Sequence, residues 1–414
     1  MELLRRILDK TVNYFALESN LRVLLITSVI ANLSGSLWTS LLGLYITNNL
    51  GVSVLMFGLM STIRDLVSSL INFPSGFLSD NFGRKKMITL STIFSILTLM
   101  LLFFVRDLPL LLLVSIFHGL SIAFMDPSQS AYVVDVVQEG RRGSAYAALA
   151  FFQSLSSIIA TSLAGVIAGI YGFYWVFGIA LVLESLSLGG ITFYLRESRV
   201  VDSVETRPSK ESMYKHIKND LTMLRNPLLL AVLFGIVFHQ LGLGIQGPYL
   251  PIYASDVLML SLLSISLMLS MQQTGIFVGH FPSGRIVDKY GGEISFAFHI
   301  LITSPSMILF TIIGNPILAS LILFGWGLTF GLDNVSRQKL IAQYKSESGV
   351  ATAFGVISLI AGVISLISPT IGGWVWTEYS PQTVFYASAA INVLGSLPLF
   401  MLWLHNRNTK ADLS

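Results

Sequence analysis

A chain of 414 residues that is 53% hydrophobic and only 11% charged lacks the polar residues to cover a water-soluble fold, since ordinary globular chains carry about 25% charged residues. A mean hydropathy of +0.74 with long uninterrupted apolar runs also excludes disorder, collagen-like repeats and an outer-membrane barrel, whose strands alternate in segments of about ten residues. With no cysteine in the chain, disulfides, c-type haem, iron–sulfur clusters and thiolate zinc sites are excluded as well.

A membrane-spanning helix needs about 20 mostly apolar residues. The sequence predicts such spans at 22–47, 53–79, 87–105, 109–136, 144–169 and 173–195, and again at 227–253, 260–286, 294–313, 316–341, 349–375 and 382–404. The first six form an N-terminal bundle (22–195) and the last six a C-terminal bundle (227–404), flanked by an N-terminal segment (1–21) and a tail (405–414). The N-terminus carries cations but no small-residue cleavage site, so span 1 reads as a retained signal anchor. The linker 196–226 is rich in Lys and Arg, and Met213, Ile217, Leu221 and Leu224 recur in it at helical spacing, which predicts a surface helix lying along the membrane.

Most of the 25 Lys and Arg residues fall on one side of this topology, while the opposite side shows only Arg106. Cytoplasmic loops carry the positive excess, so both termini and the linker are expected in the cytoplasm of a cell-membrane protein, which an even number of spans permits. The net charge of +3 is then a topology signal and not a nucleic-acid surface.

An internal repeat is visible. Phe73-Pro74-Ser75-Gly76 recurs 208 residues later as Phe281-Pro282-Ser283-Gly284. Asp80 and Gly83 match Asp288 and Gly291, Asp126 in span 4 matches Asp333 in span 10, and Gly165 matches Gly372. The chain therefore reads as two six-helix halves related by duplication. The run Gly76-Phe77-Leu78-Ser79-Asp80-Asn81-Phe82-Gly83-Arg84-Lys85-Lys86 resembles the signature loop between helices 2 and 3 of the major facilitator superfamily, and the six-plus-six arrangement extends the resemblance over the whole chain. The resemblance implies an all-α integral membrane fold of two pseudo-symmetric six-helix bundles that open a central cavity alternately to each side. It also implies a cytoplasmic gate built on Gly76, Asp80, Gly83 and Arg84, with the weaker second copy at Gly284 and Asp288. In such transporters Asp80 faces the N-terminal end of span 11, and Arg84 is expected to pair with Asp135 at the end of span 4. Gly292 and Ala342 stand at the matching positions of the second half, so that pair is absent there as a unit.

A charge at the bilayer centre costs about 2.5–3.5 kcal/mol on insertion scales, so intramembrane charges mark function or tight pairing. The candidates are Arg64 and Asp65 in span 2, Asp126 in span 4, Glu184 in span 6, and Asp333 and Arg337 in span 10. Asn32, His239, Gln240, Gln272 and Gln273 provide uncharged company, and the resemblance places these spans around the central cavity. Arg64 and Asp65 map on Gln272 and Gln273, and Asn32 on His239 or Gln240. Each candidate also has a structural reading: Arg64 neutralising Asp65 or Asp126, Asp333 and Arg337 as a one-turn bridge, Asp126 capping a kink at Pro127, Glu184 on a peripheral span, and His118 and His239 as satisfied core histidines.

No P-loop, His-Glu-x-x-His or Gly-x-Ser-x-Gly run is present, so no enzyme chemistry, cofactor or metal is expected and transport energy must come from a gradient. The expected function is secondary transport of a small molecule, coupled to H+, with the lipid bilayer as surroundings and the monomer as the working unit. Asp126 and Asp65 are the first candidates as proton carriers. Export of a drug-type molecule or metabolite is favoured, with uptake or facilitated diffusion as the alternative and a lipid-modifying enzyme or sensor as distant ones. Two departures separate the chain from the superfamily's drug–proton antiporters: Ser115 precedes His118-Gly119 where those carry Arg before Gln-Gly, and span 5 lacks their Gly-Pro run.

The topology is directly testable in this cysteine-free chain. Ser203→Cys and Asn315→Cys are expected to react with an impermeant thiol reagent from opposite sides of the membrane. Labelling of both from one side contradicts the arrangement.

Overall fold

The computed structural model describes residues 19–198, 227–343, 357 and 360–411; the amphipathic segment expected in the linker lies outside them. The described residues are helical, with no strand, and include twelve helices long and apolar enough to cross a membrane. In chain order these are α1 (Ser19–Thr39, continued to Asn49 through a short turn), α2 (Val54–Phe82), α3 (Arg84–Phe104), α4 (Leu108–Val136), α5 (Arg142–Tyr171), α6 (Phe173–Tyr194), α7 (Pro227–Gln246, continued by Leu250–Asp256), α8 (Leu262–Tyr290), α9 (Gly292–Ile312), α10 (Pro316–Gln343), α11 (Ser368–Glu378, the second part of a span that starts at Ile360) and α12 (Pro381–Ala411). The protein is thus a multi-pass membrane protein. Hydrocarbon supplies no hydrogen bonds, and a helix satisfies its backbone within one segment.

The ends of the helices are set by local chemistry. Asp107 accepts a hydrogen bond from the Leu110 amide at 3.1 Å and starts α4, and Asn315, 208 residues on, does the same for α10 through the Ile317 amide at 2.9 Å. Gly83 and Gly291, at φ +104° and +95°, occupy the left-handed region just before α3 and α9. That conformation lets an L-chain reverse within one residue only where no Cβ interferes.

Two compact units emerge. The first holds the chain through Tyr45 and again from Ile63 to the end of α6; the second holds Ile46–Thr62 and everything from α7 onward. The helix α2 therefore divides its contacts. Its opening turns belong to the second unit, where Thr62 and Thr370 hydroxyls meet at 2.8 Å and Asn48 Nδ2 donates to Asp256 Oδ1 at 2.8 Å.

Each unit has its own apolar core. Leu21, Leu24, Ile88, Tyr132, Ala148 and Ile191 anchor the first, and Leu229, Ile236, Phe296, Ile300, Leu340 and Leu399 anchor the second. The duplication persists at atomic detail. Tyr45 stacks edge-on to Phe177 at 4.8 Å and donates to the Leu102 carbonyl; its counterpart Tyr253 meets Phe385 at 4.8 Å and donates to the Thr311 carbonyl. Ser34 on α1 donates to the Ala180 carbonyl on α6 at 2.8 Å, whereas Ser388 on α12 donates to the Gly242 carbonyl on α7 at 2.7 Å. The helix pair and depth are the same, and the donor has moved to the opposite helix.

The closest helix pair is α8 with α10. A Cβ built on Gly279 would lie 2.7 Å from the Leu328 carbonyl carbon and 2.9 Å from its Cα, both backbone atoms that cannot swing aside. Small residues of this kind let spanning helices approach to backbone contact.

Candidate functional site

One group of polar side chains surrounds the turn between α2 and α3. Glu197, just beyond α6, caps the start of α3: its Oε1 accepts from the amides of Arg84 at 2.7 Å and Ser198 at 3.1 Å, placing a carboxylate at the positive end of the helix. A Cβ on Gly83 would lie 2.7 Å from the Glu197 carboxyl carbon and displace that cap, while its φ of +104° is what calls for glycine. The Arg84 side chain then lies back along the helix ends. Its Nε donates to Asp135 Oδ2 at 3.0 Å and its Nη1 to Asp80 Oδ1 at 2.5 Å, and Ser198 Oγ donates to the same Asp135 oxygen at 2.9 Å. Arg84 is nearly buried, at 11% side-chain exposure.

The geometry joins Arg84 to Asp135, as the motif implies, and brings Asp80 to the same guanidinium; the start of span 11, the expected neighbour of Asp80, lies outside the described residues. Residues four apart share a helix face, and Asp80 bonds Arg84 within its own turn. Glu197 and Ser198 were not anticipated; the only signal was an acid among the linker cations. The remaining motif residue, Gly76, follows Ser75, whose hydroxyl donates to the Ala123 carbonyl at 2.5 Å. That carbonyl is the one freed by Pro127 four residues on, because proline has no amide hydrogen. Pro127 Cβ lies 3.9 Å from where a Cβ on Gly76 would stand. The Pro-Ser-Gly sequence thus seals the kink in α4.

In the second copy, Gly284 is half-buried and Asp288 is exposed. Asp288 Oδ1 accepts from Lys339 Nζ of α10 at 3.0 Å, and Lys339 also donates to the Val287 carbonyl. The matching positions Gly292 and Ala342 are indeed uncharged, but Asp288 keeps the place of Asp80 and draws its base from Lys339 on α10 and not from the start of α9.

Within the membrane the first unit contains a closed pair and an open acid. Arg64 Nε bonds Asp65 Oδ1 at 2.8 Å, both side chains being about one-third exposed (30% and 37%), and the α2 backbone at Arg64 is tightly packed against Gly119. Asn32 Oδ1 accepts from Ser156 at 2.9 Å and Ser157 at 2.7 Å. Asp126 is exposed at the surface of α4 and makes no hydrogen bond or ion pair with any described residue. Glu184 is buried, not peripheral. His118 packs its ring on Trp38 at 4.7 Å.

The second unit holds a denser cluster. Arg337 Nη2 bonds Asp333 Oδ2 at 2.6 Å, the one-turn bridge expected from their spacing. His239 Nδ1 lies 2.6 Å from Asn392 Oδ1, and His299 Nδ1 lies 2.8 Å from Thr329 Oγ1. Gln240, Gln272 and Gln273 are half-buried. His299 and Asn392 were missed by reading the sequence, although the repeat carries a signal for both: they stand 208 residues after Ser91 and Glu184, two other polar residues within spans.

The sequence model of the Major Facilitator Superfamily matches residues 24–238 and 232–414, almost the whole chain. The chain belongs to this superfamily. Among similar proteins, the proton-coupled antiporter flippase LtaA of Staphylococcus haemolyticus is 20% identical over 393 residues, covering 92% of this chain and 94% of its own. The multi-drug resistance efflux pump PmrA of Streptococcus pneumoniae is 24% identical over 393 residues, covering 90% and 93%. Solved structures with the same fold include the peptide transporter POT in complex with sulfate (TM-score 0.74, 17% identity, 94% and 97% of the two chains) and the nucleoside transporter NupG (TM-score 0.76, 15% identity, 93% and 100%). The superfamily membership makes this chain a membrane transporter, and the α2–α3 turn is its copy of the signature loop.

The contribution of the Arg84–Asp135 bond can be measured by a double-mutant cycle on detergent-solubilised superfamily protein. Arg84→Ala and Asp135→Ala are each expected to lower the unfolding midpoint, and the double variant to lose less than their sum, with a coupling of about 0.5–3 kcal/mol. Strict additivity contradicts the contact.

Proposed function

We propose that this transporter exports a small drug-type molecule or metabolite across the cell membrane in exchange for protons, with both termini cytoplasmic and a monomer as the working unit. The observation that carries the reading is the contrast among intramembrane acids. Asp65 and Asp333 each bond an arginine, and Glu184 is buried within the first unit, whereas Asp126 is exposed on α4 with neither an ion-pair nor a hydrogen-bond partner among the described residues. A carboxylate without a fixed counter-charge in a spanning helix is the group whose protonation responds most to which side supplies water.

Asp126 lies about two-thirds of the way along α4, at the Pro127 kink. A helix lacking one internal hydrogen bond can flex there at lower cost. In this reading Asp126 binds a proton in one orientation of the cavity and releases it in the other, and the return of the empty carrier is linked to its charge. Arg64 and Asp65, with Asn32 in the first unit and His239, Gln240, Gln272, Gln273, Asp333 and Arg337 in the second, supply polar surface for a substrate. The Arg84–Asp135–Asp80 cluster, with Gly76 and Gly83 shaping it, and the Asp288–Lys339 bridge near Gly284 act as cytoplasmic fastenings that break as the cavity opens to that side. The chain's similarity to a proton-coupled antiporter flippase and to a multi-drug resistance efflux pump supports export with proton exchange.

Asp126→Asn preserves shape and removes the titrating group. In inverted vesicles it is expected to abolish pH-driven accumulation of lipophilic dyes that the wild type takes up, while exchange of dye at equal pH persists. Full pH-driven accumulation by Asp126→Asn contradicts the assignment.

A further inference from the structure

We propose that His239, His299 and Asp333 form a binding site for a single transition-metal cation of the Zn2+ class. The three residues come from α7, α9 and α10, all within the second unit. Each is at most 1% exposed, and one ligand atom from each lies within 4.8 Å of the other two.

Hydrogen bonding assigns the proton on each imidazole. Asn392 spends its Nδ2 on the Ser388 carbonyl at 3.0 Å, which turns its oxygen toward His239, so His239 Nδ1 is the donor. Thr329 gives its hydroxyl proton to the Trp326 carbonyl at 2.8 Å, so its oxygen is left to accept from His299 Nδ1. Both histidines are therefore held as Nδ1–H tautomers with the lone pair on Nε2. On Asp333, Arg337 holds Oδ2 and leaves Oδ1 facing inward. His239 Nε2, His299 Nε2 and Asp333 Oδ1 are all buried without a hydrogen-bond partner. The one unpaired buried donor beside them, Arg337 Nε, cannot serve three acceptors, and the remaining electrostatic deficit is one that a cation between them removes.

The residue types select the cation. Two imidazole nitrogens and one carboxylate suit Zn2+, Co2+ or Cu2+, whereas Mg2+ and Ca2+ favour oxygen ligands. An Nδ1–H bonded to an amide or hydroxyl oxygen, and a carboxylate oriented by an arginine, are the outer partners that hold metal ligands in place. A proton on one imidazole would make a single donor for two acceptors and leave the third lone pair unmatched.

The first unit is an internal control. The positions related by the repeat are Ala31 with its neighbour Asn32, Ser91 and Asp126. Asn32 Oδ1 is bonded by serine hydroxyls and Ser91 donates to the Ser121 carbonyl at 2.7 Å. The shared fold thus does not require a histidine pair here, and the second half alone has assembled the ligand set.

The test reads binding and not transport, so it stands apart from the export reading. Untagged full-length protein in detergent is titrated with Co2+. Expected are one equivalent bound, with the intense visible absorption of a low-coordinate nitrogen-ligated ion, displacement by Zn2+, and no displacement by Mg2+. His239→Gln and His299→Gln should each weaken binding at least about tenfold, as should Thr329→Val, which removes an outer partner. Absence of a stoichiometric site in the wild type overturns the proposal, as does unchanged binding in both histidine variants. Should those variants fail to fold, X-ray absorption of Zn2+ on the wild type decides: two imidazole nitrogens support the site, and an all-oxygen shell overturns it.

Discussion

Hydrocarbon offers no partner to a carbonyl, a hydroxyl or a charge, and this single constraint organises the molecule from its helix kinks to its polar clusters. Pro127 removes one internal bond from α4, and Ser75 of the neighbouring helix supplies the missing donor. Serine and threonine hydroxyls throughout the spans turn back to carbonyls one turn earlier or cross to the adjacent helix, as Ser34 and Ser388 do. Charges obey the same rule. Arg64 with Asp65, Arg337 with Asp333 and Arg84 with two aspartates leave few intramembrane ions uncompensated. Against that background the exceptions become informative: Asp126 in the first unit, and the acceptor face of His239, His299 and Asp333 in the second.

The duplication shows how such exceptions arise without loss of fold. Packing positions have been retained in pairs, including Tyr45 with Tyr253 and Phe177 with Phe385. Polar positions have drifted while keeping their depth: Glu184 corresponds to Asn392, Ser91 to His299 and Asn32 to Gln240. A membrane helix bundle tolerates this because its association rests on close contact between small residues and on a few interhelical bonds. The side chains at the polar layer are then free to acquire separate chemistry in the two units.

Much of the architecture was legible because a bilayer demands a loud signal. Runs of about 20 apolar residues mark all twelve spans, the start of span 11 lying outside the described residues, and the repeated Phe-Pro-Ser-Gly sequence exposes the two halves. The Arg84–Asp135 contact was legible through its motif, and the Asp333–Arg337 bridge through four-residue spacing alone. What escaped were partners supplied by tertiary packing. Glu197 reaches α3 from the far end of the first unit across more than 100 residues of sequence. Lys339 replaces an absent acid–arginine pair from a neighbouring turn, and His299 meets His239 only once α7 and α9 pack. Glu184 was assigned to the periphery because span order suggests it, yet its side chain is buried. Periodicity finds helices; it does not say which polar residue of one helix meets which of another.

The central claim is that Asp126 is the carboxyl group left free to exchange a proton. Infrared difference spectroscopy of the protein in lipid, taken between mildly acidic and mildly alkaline buffer, reads this directly and needs no substrate. The account predicts a protonated-carboxyl C=O band that grows on acidification and is missing from Asp126→Asn. The same titrating band in wild type and Asp126→Asn, with no difference between them, would contradict it.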